Sequence, residues 1–225
     1  MTEYCKMDTS YSFCEAVQDG NKIGYKENIE GLTEWPMSKN WPDGEVSYRL
    51  NNHSSDFITD WQTRAIVVAF RTWQLRINRL KLRRERNPDA HVDMNISWEM
   101  LDKFSGRNVF AHAWFPGQGE ISGDVEINDE AWMWQPGVHL SDMARPPLVP
   151  IMIHEIGHSL GLRHDTLGSS MNTEIMYPSY NMGRKQTTLG PRDIKRIQER
   201  YGTRNLSQRI LDYFANRRRA GWDFD

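Results

Sequence analysis

The chain has 225 residues, enough for one domain with a real core and short appendages at either end. Its formal net charge is -2, with 26% charged and 38% hydrophobic residues, a balance with no sign of an intrinsically disordered chain or a polyanion-binding protein. No apolar run reaches the length of a membrane span, so neither a nucleic-acid partner nor a membrane span is expected.

The N-terminus MTEYCKMDTS lacks the basic-then-apolar pattern of a secretory signal peptide. Cys5 and Cys14 are too few for a disulfide scaffold; they could pair, stay reduced or bind metal. Residues 1 to about 40 are polar and glycine-dotted without sustained periodicity, and end in EWPMSKNWPDGE, whose two Trp-Pro pairs favour extended backbone. This stretch reads as a leader. Val46, Tyr48 and Leu50 alternate with polar residues as in a half-buried strand, and Trp61, Ala65, Ala69 and Trp73 then recur at helical spacing. RINRLKLRRER predicts a strand with a solvated face, and Val92, Met94, Ile96 and Trp98 alternate cleanly as a further strand. NVFAHAWF, bounded by Gly106 and Pro116-Gly117, and the short DVEIND predict two more. The pattern turns helical from about 148 to 162. A last helix runs from near Pro191 through Ile194, Ile197 and Tyr201 to a C-cap at Gly202.

The chemistry concentrates in HEIGHSLGLRH, residues 154–164. Helical positions four apart differ by only about 40° around the axis, so His154 and His158 project side by side and can grip one ion. Met152, Ile153, Ile156 and Leu160 fall on the opposite side, which predicts a helix with an apolar back and a histidine face toward a cleft. Gly161 can end that helix in a left-handed turn and bring His164 to the same metal. Three imidazoles leave a fourth position open, the mark of a catalytic rather than a structural zinc. Glu155, beside the first ligand, is placed to take a proton from a metal-bound water whose pKa zinc lowers to about 7. Hydrolysis of a peptide bond is the expected reaction, with Glu155 as general base and proton carrier to the leaving amine.

The motif HEIGHSLGLRH with EIMYPSY around Met176 resembles the zinc signature and Met-turn of the metzincins, and within them the matrixins. WPDGEVSYRL, VDMNISW, VFAHAWFPG and LGPRDIKRIQERYG resemble the first strand, third strand, edge strand and closing helix of a matrixin catalytic domain, so the likeness covers about 160 residues, Trp41 to Gly202. The resemblance implies an α+β fold: a twisted mixed sheet of about five strands, three main helices, and a cleft between an N-terminal and a smaller C-terminal subdomain. It implies a zinc metalloendopeptidase with one catalytic zinc, acting on protein or peptide substrates as a monomer. It implies an extracellular setting, for which the chain shows no signal peptide. Met176 would form a hydrophobic floor beneath the metal. Pro178 and Tyr180 would form the outer wall of the pocket for the side chain after the scissile bond, and the backbone of Phe110, Ala111 and Ala113 would pair with an extended substrate, as an edge strand can.

The sequence also departs from the family. Matrixins hold a structural zinc with a His-x-Asp pair and two further histidines; here His112 is present, Glu126 stands at the last position, and the loop LDKFSGRN lacks the pair, so no structural zinc is expected. A calcium site is the reading for Asp93, Gly119 and Asp124, with a solvated strand edge as the alternative. Asp165 stands where matrixins commonly carry serine, and eleven residues separate His164 from Met176, a longer pocket loop than usual. Neither cysteine has the Pro-Arg-Cys-Gly context through which a matrixin propeptide occupies the zinc; a thiolate switch by one of them stands as an alternative to a bland leader. The expected organisation is a leader over 1–38, a metallopeptidase domain over 39–203, and a basic helical tail over 204–225 that packs on the domain, with Leu206, Ile210, Leu211 and Phe214 on one face. The alternative to an active peptidase is a catalytically silent zinc-binding interaction module.

Overall fold

The computed structural model describes residues 10–18, 21–22, 39–57, 60–100, 109–129, 134, 147–165, 173–181, 187–205 and 207. The loop LDKFSGRN, the stretch between Asp165 and the Met-turn, Cys5 and the C-terminal tail, apart from residues 204, 205 and 207, lie outside them.

Among the described residues, eight strands form one mixed sheet with three α-helices: β1 (Ser10–Gln18), β2 (Asn21–Lys22), β3 (Gly44–Leu50), α1 (Trp61–Gln74), β4 (Leu80–Arg84), β5 (Met94–Glu99), β6 (Val109–Trp114), β7 (Val125–Asn128), α2 (Leu148–Ser159), β8 (Ser179–Asn181) and α3 (Pro191–Tyr201). Within the motif-bearing part, β4-β3-β5-β7-β6 are neighbours; β3 runs parallel to β4 and β5, β5 parallel to β7, and β6 antiparallel to β7. This is the expected α+β architecture. Parallel neighbours need crossovers, and α1 supplies the one between β3 and β4.

Val46 and Tyr48 of β3 are buried against α1, and the Tyr48 and Phe70 rings stack at 3.6 Å. The buried face of α1 is Ala65, Ile66, Ala69, Phe70 and Trp73. Trp61, expected on that face, is 47% exposed and lies beneath the Arg64 guanidinium. A cation over an exposed indole face contributes about 0.5–1 kcal/mol, which partly offsets the burial that Trp61 forgoes. The solvated strand is β4, whose Lys81 and Arg83 both pair with Glu45 on β3.

Periodicity predicts no strand in the first forty residues, yet β1 pairs parallel with β6 and antiparallel with β8, and β2 pairs with β1. The alternation of Tyr11, Phe13 and Val17 is broken at Glu15. The strand is defined by neighbours far away in sequence, which a local pattern does not carry.

The start of the matched domain is tied down where two helices end. Trp41 donates from its backbone N–H to the Tyr201 hydroxyl (3.1 Å) and from its indole to Ser159 O (2.8 Å), and Tyr201 Oη donates to Leu160 O (3.0 Å).

Candidate metal centre

Helix α2 starts after Pro147 and continues through the first two histidines of the motif. It is not two-faced as the spacing predicts: every residue from Leu148 to Ser159 is buried, His154, Glu155 and His158 included. Helix α1 packs on it, with the Trp73 indole donating to Ile153 O at 2.8 Å, and the Met-turn closes the other side. A helix so enclosed reads as apolar throughout, and its polar side chains must have specific partners.

Gly161 adopts φ +89°, and its N–H donates to His158 O at 2.7 Å while Leu162 N–H donates to Gly157 O at 2.9 Å. These bonds cap the helix with the left-handed turn that only glycine takes freely. The chain then reverses and delivers half-buried His164 from an irregular segment. The three Nε2 atoms converge: His154 to His158 3.1 Å, His158 to His164 3.1 Å, and His154 to His164 3.3 Å.

Tautomers follow from the second nitrogens. His154 Nδ1 lies 2.7 Å from Ile175 O and His158 Nδ1 2.6 Å from Leu162 O. A carbonyl only accepts, so each Nδ1 carries the proton and each Nε2 presents a lone pair. Burial disfavours imidazolium at all three positions, and holds His158 at about 4. Neutral rings with lone pairs facing one another at 3.1 Å cannot hydrogen-bond to each other across that gap. A cation resolves the arrangement. Three nitrogens about 2.0–2.1 Å from one tetrahedral ion stand about 3.3–3.4 Å apart, so the donor set and its spacing fit zinc. Among the described residues this is the one group of His, Cys, Asp or Glu side chains that converges closely enough to hold a metal.

The floor is built by close approach. Met176 is fully buried, and a Cβ added at Gly157 would lie 2.3 Å from Met176 Sδ and 2.9 Å from Trp73 Cζ2. Gly157 thus lets the Met176 side chain approach α2 more closely than any residue with a Cβ would allow. The turn is fixed by Asp193, whose carboxylate accepts from the backbone N–H of Ile175 (2.6 Å), Met176 (3.3 Å) and Gly190 (3.0 Å). Burial raises the Asp193 pKa to about 6 despite those donors. Glu174 Oε2 accepts in turn from the backbone N–H of Arg192 (3.0 Å) and Asp193 (2.9 Å). Sequence reading missed these carboxylates, because their partners other than Gly190 are seventeen to nineteen residues away; the signal present was an aspartate at the third position of a helix that starts with Gly-Pro.

Phe110, Ala111 and Ala113 lie on β6 with buried side chains, and β6 is not a free edge. Its antiparallel neighbour is β7, and on its other side β1 pairs in parallel, with Cys14 opposite Ala111 and Ala16 opposite Ala113. Pro178 is buried, and Tyr180 sits in β8 opposite Tyr11 of β1. The chain's own β1 therefore occupies the slot between β6 and β8.

The residues read as a calcium site have protein partners. Asp93 Oδ2 accepts from Ser47 N–H and Oγ, each at 2.7 Å, and Asp124 Oδ1 accepts from Asn95 N–H at 2.7 Å; Gly119 begins a single 3-10 turn at φ +68°. His112 is buried on β6 opposite Glu126 on β7. Burial and the nearby Glu99 and Asp124 raise the Glu126 carboxyl to about 7.

A family profile described as matrixin matches residues 39–202. Stromelysin-1 of Mus musculus is 30% identical over 193 residues, 82% of this chain and 37% of that protein. Macrophage metalloelastase of Rattus norvegicus is 30% identical over 181 residues, 78% of this chain and 36% of the relative, and interstitial collagenase of Bos taurus is 32% identical over 174 residues, 74% and 34% respectively. The chain spans little more than a third of the length of these curated relatives.

Proposed function

The chain belongs to the matrixins, zinc metallopeptidases, and from that premise we propose that it hydrolyses peptide bonds in protein substrates with Glu155 as general base. The observation that carries this reading is the convergence of three Nε2 atoms within 3.3 Å, two of them left unprotonated by the carbonyls behind them. His154, His158 and His164 would hold zinc, which when bound acidifies a water and polarises the scissile carbonyl. Glu155, one residue from His154 and enclosed by the same helix packing, would take the proton from the attacking water and return it to the leaving amine. Ile175 O and Leu162 O keep the rings of His154 and His158 in the ligand tautomer throughout. Met176 and Gly157 would form the apolar floor, and Pro178 with Tyr180 the pocket wall. The backbone of β6 at Phe110, Ala111 and Ala113 would pair with an extended substrate once β1 has left it. Residues 1–38 would then be a leader over the cleft, 39–203 the catalytic domain and 204–225 a tail.

The test is hydrolysis of a quenched generic peptide by the chain, with and without a zinc chelator, beside Glu155→Ala. We expect one zinc per chain in both proteins, loss of cleavage with chelator, and a fall of roughly 10²–10⁴ for Glu155→Ala. Undiminished hydrolysis after either treatment would overturn the mechanism. A chain that binds zinc but cleaves nothing, with or without its leader, would be a binding module.

A further inference from the structure

His154 and His158 are placed by a helix, whereas His164 sits on an irregular segment beyond Gly161 with no helical bonds to fix it. The residues on either side of it are tethered to α3. Arg196 Nη2 donates to Arg163 O at 2.7 Å, and Arg192 Nε, one helical turn earlier, donates to Asp165 Oδ2 at 2.5 Å. The residues on either side of His164 are thus held by two arginines on one face of α3. Asp165 N–H also donates to Met176 O at 2.7 Å, which ties the same residue to the floor of the site. The Asp165 side chain is 2% exposed and that of Arg192 43% exposed, so the carboxylate is enclosed and the guanidinium closes the enclosure from the solvent side. A buried carboxylate is retained where a charge-assisted bond offsets its desolvation, and such bonds fix geometry as well as charge.

We infer that Asp165, Arg192 and Arg196 are positioning residues for His164: α3 clamps both neighbours of the third metal ligand and so sets the affinity of the centre. This rests on the reading of the three histidines as zinc ligands. Partners behind metal ligands commonly govern affinity by about 10–100-fold.

Zinc affinity of the full chain, measured by competition with a chromophoric chelator, tests the inference on Asp165→Asn, Arg192→Gln, Arg192→Lys, Arg196→Gln and the Asp165→Asn/Arg192→Gln double variant. Arg83→Gln, in an exposed ion pair on β4, is the control. The expected result is a zinc Kd raised about 10–100-fold in Asp165→Asn and Arg192→Gln, partial recovery in Arg192→Lys, a double variant no worse than the weaker single, and an unchanged control. The unfolding midpoint should fall more with zinc present than without it, because the lost binding energy appears only in the loaded protein. A zinc Kd within about twofold of wild type in Arg192→Gln, or equal losses of midpoint with and without zinc, would show a merely structural clamp and overturn the inference. Should Asp165→Asn not fold, the half-exposed Arg192 variants decide alone. A wild-type chain that binds no zinc would sink the underlying reading, a result distinct from a wild type that binds and variants that bind equally well.

Discussion

Gly157 stands inside α2, where glycine is about 1 kcal/mol less favourable than alanine, so propensity alone makes Gly157→Ala stabilising. Packing says the reverse. The new Cβ would lie 2.3 Å from Met176 Sδ and 2.9 Å from Trp73 Cζ2, and both neighbours are fully buried in the core. The Trp73 indole is bonded to Ile153 O at 2.8 Å, and the backbone of Met176 is held on both sides, by Asp193 on its N–H (3.3 Å) and Asp165 on its carbonyl (2.7 Å). Overpacking of that kind costs about 1–3 kcal/mol, so the expected outcome is a lower denaturant midpoint, with weaker zinc binding as the floor shifts. Urea unfolding of the metal-free variant checks this; equal or greater stability would mean that the Met176 side chain swings away cheaply. At this scale legibility depends on range. His154, Glu155, His158 and His164 could be read because a few residues of helix and one glycine turn fix their relations. Gly157 left only the signal of a glycine inside a helix. Asp193 and Glu174 left almost none, since what they hold is brought near by the fold rather than by spacing.

Among the elements, β5 and β7 bring Glu99, Asp124 and Glu126 onto one region of the sheet, and Glu126 takes the largest consequence, with its carboxyl raised from 4.5 to about 7 chiefly by burial and then by Glu99 and Asp124. The folded chain holds that proton where the unfolded chain has released it. Stability therefore falls as pH rises from 4.5 to about 7, and the loss persists above. Glu126→Gln removes the titration, so its thermal midpoint should exceed that of the wild type above pH 7, with the gap closing below 4.5. A gap independent of pH would mean that Glu126 is not the group responsible. The same strands show why most elements were visible beforehand. Val92, Met94, Ile96 and Trp98 alternate because β5 has one face on the core, and α3 carries Pro191 at its start and Gly202 at its end. Pattern misled where neighbours outweighed it: Trp61 fits the helical spacing but is exposed, and α2 looks amphipathic but is buried throughout.

For the whole molecule, β1 occupies the backbone of β6 that the proposed function gives to an extended substrate. It runs parallel to β6 from Ser12 opposite Val109 to Val17 opposite Trp114, and its first residues pair with β8 from Ser10 to Ser12. A substrate that adds as a strand to β6 needs the same row of N–H and C=O groups, so leader and substrate exclude one another. A tethered competitor acts at an effective concentration of about millimolar, against which a short peptide added at micromolar levels is at a disadvantage. Removing residues 1–38 should therefore raise kcat/KM on such a peptide about tenfold or more, mostly through KM, because the metal centre itself is untouched. The cut preserves Trp41, whose bonds to Ser159 and Tyr201 fasten the start of the domain to the ends of α2 and α3. Ala16→Pro offers the same comparison in the full chain: proline at a position paired with Ala113 of β6 should loosen β1 without shortening the protein. If both variants cleave at the wild-type rate, β1 leaves β6 open in solution. If both gain through KM at unchanged zinc content, access to β6 rather than assembly of the centre limits the intact chain, and activation requires no more than separating β1 from the edge of the sheet.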